Sequence, residues 1–268
     1  MNVLTIQVSL YLRSDNMRYL LLLFLLVSHS FFSQKENKFG VPNYFGFQSR
    51  MIIPSDAIGP NALTLTKESF TTTIEQQVGY TFGGVVRLGI SELISIETGL
   101  NYVQRHFGIT MSETDSAITA YGTMNFIQYD IPVSALINVK LSKEFFANAS
   151  LGIALQNKPS SVGIITNPRG KHEFFHQGVV DIHKKISFDL ISSVGFEYRT
   201  KKSGVFYLGG SARVAMAPVF LLVTKHQYVN ESKVAFGDVN GSYLSLDIKY
   251  FLPYKRANNL IFKQGPIE

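Results

Sequence analysis

The stretch LISIETGLNY, residues 93–102, is the clearest indication of the fold, because from Ile94 onward apolar side chains alternate with polar or small ones. One set of alternate positions is almost entirely apolar: Ile94, Ile96, Thr98, Leu100 and Tyr102. The other set is polar or small: Ser95, Glu97, Gly99 and Asn101. Successive side chains of a β-strand point to opposite faces, so this pattern predicts a strand with one apolar and one polar face.

The same alternation recurs along the chain and marks eight segments. They are residues 44–53, 75–90, 94–107, 125–141, 145–156, 186–199, 205–217 and 242–252. Each contains at least the ~9–11 residues that a tilted strand needs to cross a membrane. After residue 34 there is no run of 18 or more apolar residues, so the sequence predicts no transmembrane helix in that part of the chain.

The connections between these segments alternate between short and long. The short ones are 91–93, 142–144 and 200–204, and the long ones are 54–74, 108–124, 157–185 and 218–241. Short periplasmic turns and longer outer loops are typical of outer-membrane barrels. In hydrocarbon every backbone N–H and C=O must be paired within the protein, so strands that span must close on themselves. We predict an all-β fold, an eight-stranded antiparallel up-and-down transmembrane β-barrel over residues 44–252.

The N-terminus carries an export signal. Residues 19–27, YLLLLFLLV, form a short apolar stretch directly after Arg18, as in a secretory signal peptide. We expect a signal peptide over residues 1–33, with cleavage between Ser33 and Gln34, or alternatively after Ser30, and translation starting at Met17. A periplasmic segment, 34–43, then precedes the barrel, and a periplasmic tail, 253–268, follows it.

Composition narrows the functional classes. The 268 residues include no cysteine, 46% are apolar and 16% are charged. The missing cysteines exclude thiol catalysis and cysteine–zinc sites. A net charge of +6 is only mildly basic, so we expect no nucleic-acid partner. We expect no cofactor.

In a membrane barrel of this size the polar face points inward and side chains fill the interior. The expected inward charges are Arg50, Arg87, Glu97, Asp130, Lys140, Asp189, Glu197, Arg213, Asp247 and Lys249. Five bases and five acids could neutralise one another as a packed ionic network, or line a narrow conduction path. The opposite assignment, a soluble lipocalin-like barrel, would place bulky Phe and Tyr side chains in a small lumen, and we favour the membrane barrel. Aromatic residues near strand ends predict interfacial girdles: Tyr44, Phe107, Phe145, Tyr198, Phe251 and Tyr254.

Two motifs resemble a known family. Residues 129–132, Tyr-Asp-Ile-Pro, open a long strand, and the Gly-rich residues 83–89 lead through a tight turn into 93–102. Over roughly residues 40–252 the chain resembles the PorT-like outer-membrane β-barrels of Bacteroidota-type bacteria. The resemblance implies an outer-membrane location and, for some members, a link to secretion and gliding machinery. It carries over no ligand-binding residue.

The connection 157–185 predicts a basic outer loop that could contact lipopolysaccharide phosphates or remain solvated. Its basic residues are Lys158, Arg169, Lys171, Lys184 and Lys185. His172 and His176, four residues apart, are a weak metal motif without a carboxylate partner. Pro132, well inside its segment, predicts a local bulge.

We therefore expect a non-enzymatic structural or interaction barrel of the outer membrane. Its expected contacts are outer-membrane lipid, lipopolysaccharide and secretion-apparatus or other envelope proteins. The alternatives are a narrow porin-like channel and a lipid-A-modifying enzyme using His106 and Ser112.

Overall fold

The computed structural model describes residues 43–169, 171–180, 185–200 and 202–253. The expected signal peptide, its cleavage site, the start at Met17 and nearly all of the expected C-terminal tail lie outside these residues. The described residues form thirteen β-strands. The described residues contain no candidate membrane-spanning helix.

Eight strands form the ring predicted from the sequence. In chain order they are β1 (Tyr44–Ile53), β3 (Phe70–Gly89), β4 (Ile94–Glu113), β5 (Ile118–Lys140), β6 (Phe145–Asn157), β9 (Ile186–Thr200), β10 (Gly204–Ala215) and β13 (Tyr243–Phe251). Neighbours in the ring pair antiparallel, and β1 closes it by pairing with β13 on one edge and β3 on the other. All eight predicted segments correspond to these strands, so the predicted fold class is confirmed.

The long connections contain strands of their own. They hold β2 (Ala62–Lys67), β7 (Val162–Arg169), β8 (His172–Val179), β11 (Phe220–Tyr228) and β12 (Glu231–Val239). β2 pairs with β3, and the other four form a second sheet in the order β12-β11-β8-β7. The predicted outer loop 157–185 thus contains a β-hairpin, β7–β8, within its described residues. We call the extended ends of β3–β5, together with β2 and the second sheet, the cap.

The faces of the long strands exchange polarity where the barrel becomes the cap. In the lower part of β5 the outward side chains are Ile127, Tyr129, Ile131, Val133, Ala135, Ile137 and Val139, whereas the buried ones include Gln128, Asp130, Ser134 and Asn138. In its upper part the outward side chains are Thr119, Tyr121, Thr123 and Asn125, and the inward ones are Ile118, Ala120, Gly122, Met124 and Phe126. The surroundings of the outer face thus change from apolar to aqueous along one strand.

The exchange marks the outer edge of the membrane band. At about 3.3 Å per residue and a tilt of about 45°, the outward apolar run of β5 covers about 28 Å of depth, close to the ~25 Å band of such barrels. Tyr80, Tyr102 and Tyr129 pack side by side at this level, with ring centroids 6.5 and 5.9 Å apart. They form an aromatic girdle that the sequence prediction did not include.

The predicted girdle residues divide between the two faces. Phe145 and Tyr198 are each 43% exposed at the short-turn end and contact one another, as expected for a girdle. Phe107 and Phe251 are fully buried, so their assignment to a girdle was wrong. Phe107 lies above the polarity exchange, in the cap core, and Phe251 faces the lumen. Tyr254 lies outside the described residues.

Pro132 does not produce a bulge. β5 keeps one register with β4 on both sides of Pro132, and Pro132 itself pairs with Ala154. The Thr98 hydroxyl donates to the Pro132 carbonyl at 2.8 Å. The register shift lies elsewhere, between Gln77 and Tyr80 on β3, beside the tyrosine girdle.

The polarity exchange predicts a strong depth dependence for a charge on the outer face of β5. We expect Val133→Arg to lower the free energy of unfolding by about 2–4 kcal/mol, because Val133 lies near mid-depth of the apolar band. Thr123→Arg, on the same face in the cap, should change it by no more than about 0.5 kcal/mol. Urea titration of the barrel in lipid vesicles measures both, and equal losses would contradict the placement of the band.

Candidate functional site

The lower lumen is filled by an ionic cluster centred on Arg87. Its guanidinium reaches Glu97 at 2.9 Å and Glu197 at 2.5 Å. Lys249 also donates to Glu97, and Arg199 pairs with Glu197 at 2.8 Å. The alternation of β3, β4, β9 and β13 turns these side chains inward, and ring closure brings together positions more than 100 residues apart.

A second ionic cluster occupies the upper lumen. Arg213 donates to Asp130 and lies 3.9 Å from Asp189, which also accepts from Gln156. Between the clusters Arg50 pairs with Asp247 at 3.5 Å. The carboxylates thus alternate with basic groups across the lumen, which offsets the cost of removing both from water.

Nine of the ten predicted interior charges are buried in this network. The exception is Lys140, which is exposed, so its assignment to the interior network was wrong. The alternation of side chains along β5 gives position 140 an inward direction. However, Lys140 is the last residue of that strand and lies next to the 141–144 turn. Its ammonium group is therefore beyond the packed lumen.

The interior also contains charges that the prediction omitted. Arg105 is 1% exposed and donates to the Gly241 carbonyl. Arg199 is half-buried and lies over the ring of Phe146, with 3.9 Å from its guanidinium carbon to the ring centroid. The alternation of side chains along β4 and β9 places Arg105 and Arg199 on the inward face. The sequence pattern could therefore have predicted both as interior charges.

The predicted basic loop does not form one basic surface. Lys158 is 1% exposed, and its ammonium group donates to the Pro218 carbonyl at 2.6 Å. Lys171 is exposed at the turn of the β7–β8 hairpin, and Lys185 is half-buried just before β9. Arg169 ends β7; its side chain and Lys184 lie outside what the structure describes.

The space inside the lumen is small. The cavity between the two ionic clusters measures about 20 Å³, room for one or two water molecules. Above it the cap interior is an apolar core that includes Phe107, Phe126 and Phe220, whose rings pack with centroids 5.1 and 5.2 Å apart. Packed side chains therefore fill much of the interior that the described residues enclose.

A polar cluster joins the two sheets of the cap. Glu113 of β4 accepts from Lys233 of β12 at 3.0 Å and lies 3.0 Å from Nδ1 of His226 on β11. The other ring nitrogen of His226 is 3.0 Å from Nδ1 of His172. The His226 ring also stacks on Phe174, with centroids 4.8 Å apart.

Burial shifts the pKa values of these cap groups. It lowers the pKa of His226 by more than neighbouring Glu113 raises it. Burial alone lowers the pKa of His176. Burial would raise the pKa of Glu113, but hydrogen bonds from Ser69 and Lys233 outweigh it and hold that pKa below its usual value.

The other candidate residues are not brought together. His106 and Ser112 lie on the outer face of β4, six residues and hence about 20 Å apart. His172 contacts His226 rather than His176, whose ring is fully buried near Gly122. No metal-binding group of three or more His, Asp or Glu side chains occurs among the described residues.

A closed eight-stranded ring with an apolar belt outside and an ionic network inside defines an outer-membrane β-barrel. The chain belongs to the family described as "Outer membrane protein beta-barrel domain", which matches residues 32–217. Among solved structures it is similar to the outer membrane protein OprG from Pseudomonas aeruginosa, at 10% identity and a TM-score of 0.45, over 79% of this chain and 96% of that one. No functionally curated protein matches it.

The Arg87 cluster predicts a large cost for breaking one ion pair. Arg87→Met leaves Glu97 and Glu197 without their shared partner, and we expect it to lower the free energy of unfolding by about 3–5 kcal/mol. Lys140→Met removes an exposed charge and should change it by no more than about 0.5 kcal/mol. Urea titration in lipid vesicles compares the two, and similar losses would contradict the assignment of Lys140 outside the network.

The cap should loosen in acid. The lowered pKa values of His226 and His176 mean that the folded cap resists their protonation, so stability falls as the pH drops below their ordinary value of 6.5. Glu113 contributes stability above its ordinary value of 4.5 that is lost as the pH falls through its lower folded pKa. Other charged or titratable groups around this cluster are Glu68, Asp115, His172 and Lys233.

Amide hydrogen exchange of β8 and β11, corrected for the intrinsic pH effect, measures this loosening between about pH 7.5 and 5.5. We expect less protection at the lower pH, and a much smaller change in the double variant His176→Leu, His226→Phe. His106→Phe, outside the cap core, should behave like the unaltered protein. A response that persists in the double variant would contradict the assignment to these two rings.

Proposed function

We propose that this protein is a closed, non-enzymatic barrel whose cap binds a protein partner of the cell envelope. The filled lumen is the observation that carries the proposal. Two ionic clusters and the apolar cap core occupy the interior, which disfavours the narrow channel. The separation of His106 from Ser112 disfavours lipid-A chemistry at those residues.

An apolar patch on the cap supports a role in binding. We call Ile165, Phe175, Val223, Val234 and Phe236 the outer patch. Cross-strand pairing places them on one face of the second sheet, opposite the cap core. Ile165 and Phe236 are 64% and 70% exposed. Exposed apolar groups clustered outside the membrane band are typical of protein-binding surfaces.

The kind of partner follows from the sequence resemblance. PorT-like barrels are linked, for some members, to secretion and gliding machinery, and we extend that link to this chain. Lys225 lies between Phe175 and Val234 in the pairing of the second sheet. A partner with an apolar contact surface and an acidic group would complement the outer patch. We also propose that the predicted signal peptide directs export of this protein toward the outer membrane.

Site-specific photo-crosslinking in the native membrane tests the proposal. A crosslinker in place of Ile165 should yield one discrete protein adduct, and Phe236→Asp in the same chain should abolish it. A crosslinker in place of Thr119, exposed on the opposite sheet of the cap, should yield none. Adducts with lipopolysaccharide alone, or the same adduct at Thr119, would contradict a protein partner at the outer patch.

Planar-bilayer recording of the purified barrel tests the closed lumen separately. We expect no conductance steps. Steps that disappear when Arg87 and Glu97 are replaced would instead support the narrow channel.

A further inference from the structure

The strand β12 is the last strand of the second sheet, and it has a hydrogen-bonded neighbour on one side. Along its whole length it pairs with β11, and none of the described residues pairs with its other side. We call that other side the free edge. It lies in the cap, outside the membrane band. An exposed strand edge of this kind is a template for one more strand.

The backbone groups of Val234 and Phe236 point to the free edge. The Ala235 carbonyl accepts from the Thr224 hydroxyl of β11 at 3.3 Å, and the Val239 carbonyl accepts from the N–H of the residue before β11 at 2.9 Å. These two carbonyls therefore point toward β11. In an antiparallel sheet the N–H and C=O of one residue lie on the same side, and the sides alternate along the strand. Residues 234 and 236 consequently present both groups to the free edge.

The centre of this edge lacks the charges and proline that usually block strand addition. Residues 234–237 carry neither. The adjoining Lys233 bonds to Glu113 at 3.0 Å and to Ser69 at 2.5 Å, so its charge is held on the inner face of the sheet. At the other end of the sheet, β7 contains Pro168 and a register shift, which both oppose pairing. Of the two ends of the second sheet, β12 is the better template.

Apolar side chains lie on both faces of the free edge. On the outer face Val234 and Phe236 are exposed and belong to the outer patch. On the inner face Leu63 and Leu65 of β2 are only partly buried, and both lie within 3.2 Å of the position that a Cβ on Gly237 would take. A strand added to β12 would cover both pairs. It would therefore need apolar side chains on both of its own faces.

We propose that the cap binds its partner by β-strand addition, in which an extended apolar segment of another envelope protein pairs with β12 at the free edge. This inference rests on the proposed function and adds to it the mode of binding and the chemistry of the bound segment. A second copy of this chain in the same membrane is disfavoured. Its β12 would run in the same direction, whereas a two-fold pair of identical edges is antiparallel.

A peptide with the sequence of β11, FLLVTKHQY, residues 220–228, is the probe for strand addition. In the register of β11 with β12, Val223 faces Phe236 and Leu222 faces Gly237, so the peptide offers apolar side chains to both faces. At the free edge, N-methylation at peptide positions 223 and 225 removes the N–H groups directed at β12. N-methylation at positions 222 and 224 is the matched control, because it alters only the opposite side of the peptide.

Fluorescence anisotropy with the barrel in lipid nanodiscs measures binding of the two labelled peptides. We expect the peptide methylated at 223 and 225 to bind at least about tenfold more weakly, as expected for two lost hydrogen bonds. Amide hydrogen exchange at Val234 and Phe236 should slow with the control peptide alone. Equal binding of the two peptides, or unchanged exchange at both amides, would overturn the proposal.

A pair of variants tests the same edge with the native partner. Val234→Pro removes an N–H at the free edge and keeps an apolar side chain, which an edge strand tolerates, whereas Val234→Ala keeps the N–H. With the photo-crosslinker in place of Ile165, we expect at least about tenfold less adduct from Val234→Pro than from Val234→Ala. Heat-modifiability on gels checks that both variants fold, and if Val234→Pro does not, the two peptides decide.

The outcomes separate this inference from the proposed function. Equal adduct from both variants would mean that the partner binds the outer patch without an added strand, which overturns the inference and leaves the proposed function in place. Adducts between two copies of the barrel through β12 would identify a second copy as the occupant and also overturn the inference. If the control peptide binds but no adduct forms at Ile165, the proposed function fails and the strand-binding edge is supported.

Discussion

Closure of the eight-stranded ring satisfies the backbone in the membrane and sets the width of the lumen. β1 pairs with β13 on one edge and with β3 on the other, so the sheet has no unpaired edge in the lipid, where each unpaired backbone group would cost several kcal/mol. Closure at eight strands also fixes a narrow interior. Tyr207 fits there beside Gly195, because a Cβ at Gly195 would lie 2.6 Å from the tyrosine ring.

The narrow interior explains why charged residues fill the lumen. Long arginine side chains can cross it, and their planar guanidinium groups bind two partners at once, as Arg87 does with Glu97 and Glu197. Cation–π contact adds to this packing, because Arg87 lies 4.3 Å from the centroid of the Phe251 ring. Such a network fills the lumen with paired charges, and breaking one pair would leave a buried charge without its partner.

The polarity exchange along β5 separates two structural environments within one strand. Below Ile127 the lipid requires apolar outward side chains, and polar groups are buried inside. Above it the outer surface meets water, so the apolar side chains turn inward and build the core of the cap. An ordered cap with its own core can present a fixed surface, which supports our proposal that binding occurs at the outer patch rather than in the lumen.

The eight barrel strands were predictable because local side-chain alternation sets their faces and short turns set their order. The same alternation correctly predicted that nine of the ten interior charges face the lumen. The tenth charge required the tertiary structure. Lys140 has the correct parity, but only the end of the lumen shows that it is exposed.

The cap was not predictable in detail, because its sheets are held by contacts between distant residues rather than by local pattern. In the sequence, Lys158 is one of the basic residues of connection 157–185. In the structure it is buried, and its ammonium group donates to the carbonyl of Pro218, 60 residues away. Glu113, His226 and Lys233 likewise meet only when two sheets pack together. The alternation of side chains along each strand was enough to predict which residues face lipid and which face the lumen, except near strand ends such as Lys140 and Phe251. The fold of the long connections follows only from the tertiary structure, because their partners are set by packing across the cap.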